Sequence, residues 1–147
     1  MHDDLWRFAC ELYARPGMEP ACMMAQAAGS EVCLALCALW LEQRRVEWTP
    51  ARAQALEDIA LPWAYTAIKP LRALRQQWRA LSQDDNALGA LRREVKQLEL
   101  EAEQVLLSRL QAAVQAWPQG HPGALRWLAW AVPDEASQAA LRAAAGA

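Results

Sequence analysis

The longest apolar stretch of the chain runs without a break from Val32 to Leu41, with Glu31 before it and Glu42 after it. A helix that is apolar on every side has to be surrounded by protein or lipid. A stretch of about ten residues is too short to span a bilayer. The pattern therefore predicts a central helix, at about residues 31–43, that is buried inside a small bundle of helices.

The neighbouring segments also show helical rather than strand-like patterns. Apolar residues at three- and four-residue spacing predict two helices before residue 29, and Thr49-Pro50 is a strong start signal for a fourth helix. Pro62 and Pro70 interrupt that fourth pattern, so we expect kinked or broken pieces between residue 50 and about residue 82. The expected fold class is all-α, a single helical bundle around the central helix.

The longest periodic segment predicts an amphipathic helix over about 86–117. Its apolar positions alternate steps of three and four residues and then drift, which favours a helix packed on a domain over a sustained coiled coil. The positions that keep this spacing are Leu91, Val95, Leu98, Ala102 and Val105. A loop from residue 118 and short helices follow, the last of them Ala-rich and expected to fray. We expect one helical domain over 1–147, divided into a core (1–82), the long helix (86–117) and a C-terminal part (118–147).

Composition and charge narrow the class of protein. Hydrophobic residues make up 54% and charged residues 22% of the chain, which argues against a disordered protein. A net charge of −2 argues against a nucleic-acid partner. The acidic start Met1-His2-Asp3-Asp4 leads directly into an amphipathic segment, so we expect no signal peptide. Since the apolar stretch is too short to span a bilayer, we also expect no membrane partner. We expect a cytoplasmic protein of bacterial type.

The sequence shows no pattern for catalysis, a metal or a cofactor. The signatures of the common hydrolases, kinases and metalloproteases are missing. The four cysteines have no CxxC spacing, so we expect reduced, buried thiols. Cys33 and Cys37 lie one helical turn apart, but a metal would need further ligands. We therefore predict no catalytic residues, no metal and no cofactor, and a non-enzymatic role is favoured without excluding an enzyme.

One polar group lies at the entry to the central helix. Ser30 is expected to cap this helix, with Glu31 in its first turn and Gln26 nearby. A carboxylate at this position can be a first-turn charge that the helix dipole stabilises, or it can be a buried general base. A raised pKa of Glu31 would favour the second interpretation.

A basic stripe follows Pro70. It consists of Lys69, Arg72, Arg75 and Arg79. It can be a solvated face that pairs with Glu57, Asp58 or the acidic cluster Glu99-Glu101-Glu103. It can bind an acidic partner or an anionic ligand, because arginine suits carboxylates and phosphates. Nucleic acid is the third interpretation, although four cations make a small footprint.

Several segments of the first half together resemble a known family. These segments are Leu5-Trp6-Arg7-Phe8-Ala9, Tyr13-Ala14-Arg15-Pro16-Gly17, Ala21-Cys22-Met23-Met24-Ala25-Gln26, Gly29 to Trp40 and Pro70-Leu71-Arg72-Ala73-Leu74-Arg75. As a set they are similar to an uncharacterised proteobacterial family of small helical proteins, domain of unknown function 2390. The family's central motif usually has an Asp-Val-Asn-like triplet where this chain has Glu31-Val32-Cys33. If that polar pair forms a site in relatives, this chain retains half of it. The resemblance implies an all-helical cytoplasmic protein and supplies no activity.

Two functional hypotheses follow. The first is a non-enzymatic interaction or adaptor protein that holds a protein partner or its own copy. It would use the exposed face of the long helix, the basic stripe or the tail around Trp127 and Trp130, since tryptophan is enriched at binding hot spots. The second is a binder of a small anionic ligand, or an unrecognised enzyme, with a pocket between the central and the fourth helix. In that pocket Gln26 and Glu31 would face Arg72 or Arg75.

Overall fold

The computed structural model describes residues 4–122 and 125–146. The N-terminal residues 1–3 and positions 123, 124 and 147 of the predicted C-terminal part lie outside these ranges. Within the described ranges the secondary structure is helical, without a strand, as the all-α prediction requires. The α-helices are α1 (Asp4–Tyr13), α2 (Met18–Ala27), α3 (Val32–Gln43), α4 (Pro50–Trp63), α5 (Lys69–Leu81), α6 (Asn86–Val114), α7 (Trp127–Ala131) and α8 (Glu135–Ala144).

Helix α3 is the buried centre of the fold. Every residue from Val32 to Glu42 is buried, and the helix packs against α1, α6 and α7, with α2 and α4 also in contact. This confirms the predicted central helix. The predicted cap was wrong by one residue, because Glu31 rather than Ser30 has extended backbone and accepts a hydrogen bond from the Cys33 N–H at 3.5 Å. Glu31 is therefore both buried and the N-cap of α3.

The fourth helix is not broken by its prolines. Helix α4 continues through a π-helical turn, Ala64–Ile68, directly into α5, and the Lys69 N–H bonds to the Ala64 carbonyl five residues back. Pro62 lies inside the last turn of α4, and Pro70 is at the start of α5. Proline lacks the N–H that an α-helix needs, and a single π turn is a common way to absorb such a defect. Of the kinked or broken pieces that we expected, the structure shows no break, and a wide turn joins α4 and α5 in one helical segment.

Helices α5 and α6 form a hairpin joined by a short 3₁₀ turn, Ser82–Asp84. Only two of the five predicted core positions of α6, Val95 and Ala102, are buried. Leu91, Leu98 and Val105 are 51%, 50% and 39% exposed. Helical spacing identifies the apolar face of a helix, but it does not say whether a neighbour covers that face.

The C-terminal helices close the bundle at the end of α3. The Trp127 indole N–H donates to the Val46 carbonyl at 2.7 Å, and this side chain is fully buried. Trp127 therefore cannot belong to an exposed docking surface, contrary to the first hypothesis. Helix α8 packs against α2 with Leu141 fully buried, so the expectation of a frayed helix was wrong.

The cysteine prediction holds for the thiols of Cys22, Cys33 and Cys37, which are free and buried. Cys10 is also free but exposed, because it lies on the outer face of α1. None of the helices in the described ranges is both long enough and apolar enough to cross a membrane.

The buried carboxylate of Glu42 connects α3 to both C-terminal helices. It accepts two hydrogen bonds from the Arg142 guanidinium, at 2.8 and 3.1 Å, and one from the Leu128 N–H at 2.8 Å. Replacing Glu42 by Ala leaves these donors unpaired, so we expect the free energy of unfolding to fall by about 3 kcal/mol. Urea denaturation measures this change. The matched control is Glu47→Ala, whose carboxylate is half exposed. A loss no larger for Glu42→Ala than for this control would contradict the prediction.

Candidate functional site

A cleft of about 340 Å³ opens where the α2–α3 turn faces α4, the start of α5, and α7. Its walls carry both charged and apolar side chains. The lining residues are Gln26, Ala28, Gly29, Ser30, Glu31, Leu34, Glu57, Leu61, Lys69, Arg72, Trp130, Ala131 and Pro133. The cleft lies where the sequence predicted a pocket between the central and the fourth helix.

The α2–α3 turn places one polar wall of this cleft. Gly29 has a positive φ of 98°, a conformation that glycine adopts without steric cost. Its N–H bonds to the Gln26 carbonyl, and the Ser30 N–H bonds to the Ala25 carbonyl, which ends α2. The chain then extends through Glu31 and enters α3. A sharp turn thus places Gln26, Ser30 and Glu31 together on one side.

A second part of the lining is built around Arg72, whose side chain is 11% exposed. Its Nε donates to Glu99 Oε2 at 3.1 Å and its Nη2 to Glu103 Oε2 at 3.4 Å. The side-chain amide of Gln26, oriented with its oxygen toward the guanidinium, accepts from Arg72 Nε at 2.9 Å and from Nη1 at 3.2 Å. Arg72 is therefore held by α2 and α6 together.

Arg75 lies one turn further along α5 and completes a network with the same carboxylates. Its Nε donates to Glu99 Oε1 at 2.6 Å and its Nη2 to Glu99 Oε2 at 3.3 Å. Glu99 is buried and bridges both arginines. Buried charges are tolerated when they are paired and hydrogen-bonded, so this network fixes α5 against α6.

Burial shifts the titration of two carboxyl groups here. The pKa of Glu103 is raised to about 7, because its burial and the nearby Glu99 charge outweigh the attraction of Arg72. The pKa of Glu31 is also raised by burial, and Arg72, the Cys33 N–H and Lys69 offset part of that rise. The raised pKa of Glu31 favours the interpretation of this residue as a buried general base, although the residue also caps α3.

Glu31 is only weakly satisfied. It is 8% exposed, and its Oε1 accepts a single long hydrogen bond from the Cys33 N–H, while Oε2 accepts none within the described part of the chain. Glu57 on the facing helix also forms no ion pair with a described residue. Lys69 lies at the rim, with its ammonium 4.2 Å from the centre of the Tyr65 ring. The cleft is thus lined by a buried carboxylate with spare hydrogen-bonding capacity.

The structure brings together five of the side chains that the sequence singled out. Gln26, Glu31, Lys69, Arg72 and Trp130 all line the cleft. The others have different positions: Arg75 pairs with Glu99 behind Arg72, Arg79 is exposed near the end of α5, and the buried Trp127 packs edge-on against Trp130.

Sequence reasoning missed part of the wall that α4 supplies. Glu57 and Leu61 line the cleft and lie four residues apart, so they occupy the same face of α4. That spacing is visible in the sequence, but the face it points to depends on how α4 packs. Among residues 4–122 and 125–146, no three His, Cys, Asp or Glu side chains come together as metal ligands do.

The raised pKa of Glu103 predicts a pH-dependent stability. Its carboxyl group stays protonated to a higher pH in the folded than in the unfolded chain, where 4.5 is its ordinary value. Its contribution to stability is therefore present at low pH and is lost as pH rises toward 7. We expect Glu103→Gln to become more stable than wild type between pH 5 and pH 8, by about 2 kcal/mol in unfolding free energy.

Urea denaturation at several pH values measures this difference. The control is Glu101→Gln, an exposed carboxylate on the same helix, which should follow the wild type at every pH. A wild type that gains stability relative to Glu103→Gln as pH rises would refute the assignment.

Comparison with known proteins gives one family match. Residues 4–110 match the family described as Protein of unknown function (DUF2390). The match extends beyond the first half of the chain, on which the predicted resemblance depended, and includes most of α6. Neither the curated proteins nor the solved structures give a significant match. The match covers well over half of the chain, and the chain therefore belongs to the DUF2390 family.

Proposed function

We propose that this protein binds a small molecule in the cleft between the α2–α3 turn, α4, α5 and α7. The observation that carries the proposal is Glu31, which is more than nine-tenths buried, has a spare carboxylate oxygen and lines the cleft. Burying a carboxylate with so few partners is costly, and a bound ligand that donates to it would offset that cost. Convergent polar groups beside apolar walls are the usual signature of a ligand pocket.

The same surroundings do not supply a cysteine nucleophile to the cleft. Cys33, the nucleophilic side chain next to Glu31, has a pKa raised well above its usual value by burial and by the charges of Glu31 and Glu103. It therefore stays a thiol, whereas the thiolate is the reactive form. Its Sγ lies 3.9 Å from the Glu103 carbonyl oxygen, in the core rather than in the cleft.

Filling the cleft should remove ligand binding. We expect that at least one class among small amines, carboxylates, phosphates and amino acids raises the melting temperature of the wild-type protein, since a ligand of the folded state stabilises it. Ser30→Trp, which places an indole at the cleft wall, should abolish that rise. Differential scanning fluorimetry measures both.

The matched control is Ser108→Trp, which adds the same side chain at an exposed position of α6. This variant should respond to ligands as the wild type does. The proposal would be refuted if no class stabilises the wild type, or if Ser30→Trp keeps the full response.

A second candidate function is protein–protein interaction, and a specific observation favours it. The sequence suggested three surfaces: the basic stripe, the tail around Trp127 and Trp130, and the long helix. In the basic stripe Arg72 and Arg75 already pair with Glu99, and in the tail Trp127 is buried. The long helix retains an exposed apolar row of Leu91, Leu98 and Val105, at seven-residue spacing. Seven-residue spacing places these side chains on one face of α6.

The charges beside this row indicate the kind of partner. Glu94 and Glu101 are exposed and flank the row on one side. Two copies of α6 would bring these like charges together, which is unfavourable. We therefore propose that the row takes an amphipathic helix with basic flanking residues from another protein.

A pair of model peptides tests this candidate. A labelled helical peptide of leucine and lysine should bind the purified protein, and its leucine–glutamate twin should not, as measured by fluorescence anisotropy. Leu98→Glu should weaken binding at least tenfold, because it places a charge in the middle of the apolar row. Gln104→Glu adds the same charge outside the row and should leave binding unchanged. Equal binding of the two peptides would contradict the candidate.

We also propose that the protein works in a reducing compartment such as the cytoplasm. The Cys10 thiol is free and exposed. In an oxidising compartment an exposed thiol is prone to form disulfides.

A further inference from the structure

We infer that the ligand of the cleft carries a protonated amine, which binds to the carboxylate of Glu31. The inference rests on the proposed function and assigns the chemical class of its ligand. It differs from the anionic ligand that the basic stripe suggests in the sequence. The choice between an amine and an anionic ligand depends on which charged side chains of the cleft are already paired.

The strongest cation of the cleft is already occupied. Arg72 donates to Glu99 at 3.1 Å and to Glu103 at 3.4 Å, and Gln26 accepts from it as well. An anionic ligand would have to displace a carboxylate or share these donors. Arg75 is likewise engaged, with Glu99 at 2.6 Å.

The carboxylates that line the cleft are in the opposite situation. Neither Glu31 nor Glu57 forms an ion pair with a described residue, although both line the cleft. The lysine at the rim, Lys69, is exposed and lies over Tyr65. Lys69 also lines the cleft without an ion pair in the described part of the chain, but the two unpaired carboxylates outnumber it. The unpaired charge of the lining is therefore negative on balance, and an ammonium group would form charge-assisted hydrogen bonds with the carboxylates.

The remaining walls suit a short apolar body. Leu34 and Leu61 supply aliphatic surface, and Trp130 supplies an indole ring. Aromatic rings also attract cations. A volume of about 340 Å³ holds about ten non-hydrogen atoms if each takes roughly the 30 Å³ of a liquid water molecule. The geometry fits a primary amine on a short aliphatic or aromatic body.

Three probes of equal length separate the charge from the apolar contribution. They are hexylamine, hexanol and hexanoate, titrated into the wild-type protein by isothermal calorimetry. We expect hexylamine to bind at least tenfold more tightly than the other two, because only its head group complements Glu31.

Two variants of Glu31 test which group recognises the amine. Glu31→Gln should weaken hexylamine at least tenfold and leave hexanol unchanged. Glu31→Asp keeps the charge and a good helix cap, and should retain the preference for the amine. Glu101→Gln, an exposed carboxylate on α6, serves as the control and should bind as the wild type does. Thermal melts establish that each variant is folded.

The outcomes distinguish this inference from the proposed function. Tighter binding of hexanoate or equal binding of all three probes would overturn the amine assignment while the cleft remained a ligand site. A preference for hexylamine that survives Glu31→Gln would also overturn it. Absence of binding by any probe, together with no stabilising compound in the broader panel, would overturn both.

Discussion

The structure depends on the pairing of two arginines with one buried carboxylate, Glu99, at the contact between α5 and α6. Glu99 bridges Arg72 and Arg75, and Glu103 lies beside them, so α5 is fixed against α6 by charges largely removed from water. Such charges cost several kcal/mol each unless their hydrogen bonds are satisfied. Because Arg72 is held in this way, it forms part of the lining of the cleft, and Glu31 is left without an ion pair.

The helices that are strongly determined by local pattern could be predicted. Ten consecutive apolar residues leave α3 no polar face, so its burial followed from composition alone. Gln26, Glu31 and Arg72 all line the cleft, and the sequence suggested such a pocket because prolines that interrupt helices open clefts, although it left Arg72 and Arg75 as alternatives. Features that depend on packing could not be derived: the π turn before α5, the choice of Glu99 as the bridging carboxylate, and the uncovered side of α6 at Leu91 and Leu98.

The family match and the cleft overlap only in part. The α2–α3 turn, the wide turn before α5 and the charged network all lie within the matched residues 4–110. Trp130, which supplies the aromatic wall, lies beyond that range on α7. Two hydrogen bonds position α7 against α3: the Trp127 indole N–H donates to the Val46 carbonyl, and the Leu128 N–H donates to the Glu42 carboxylate. The charged half of the proposed site thus belongs to the part that defines the family, and its aromatic wall to a part outside it.

The central claim is that Glu31 is a buried carboxylate that forms no ion pair with a described residue and that binds the amine of a ligand. The most direct measurement is an NMR titration of its carboxyl carbon in the free protein and with hexylamine present. The account predicts a pKa above the ordinary glutamate value in the free protein, because burial raises it, and a lower pKa when the amine is bound. An ordinary pKa that hexylamine leaves unchanged would contradict it.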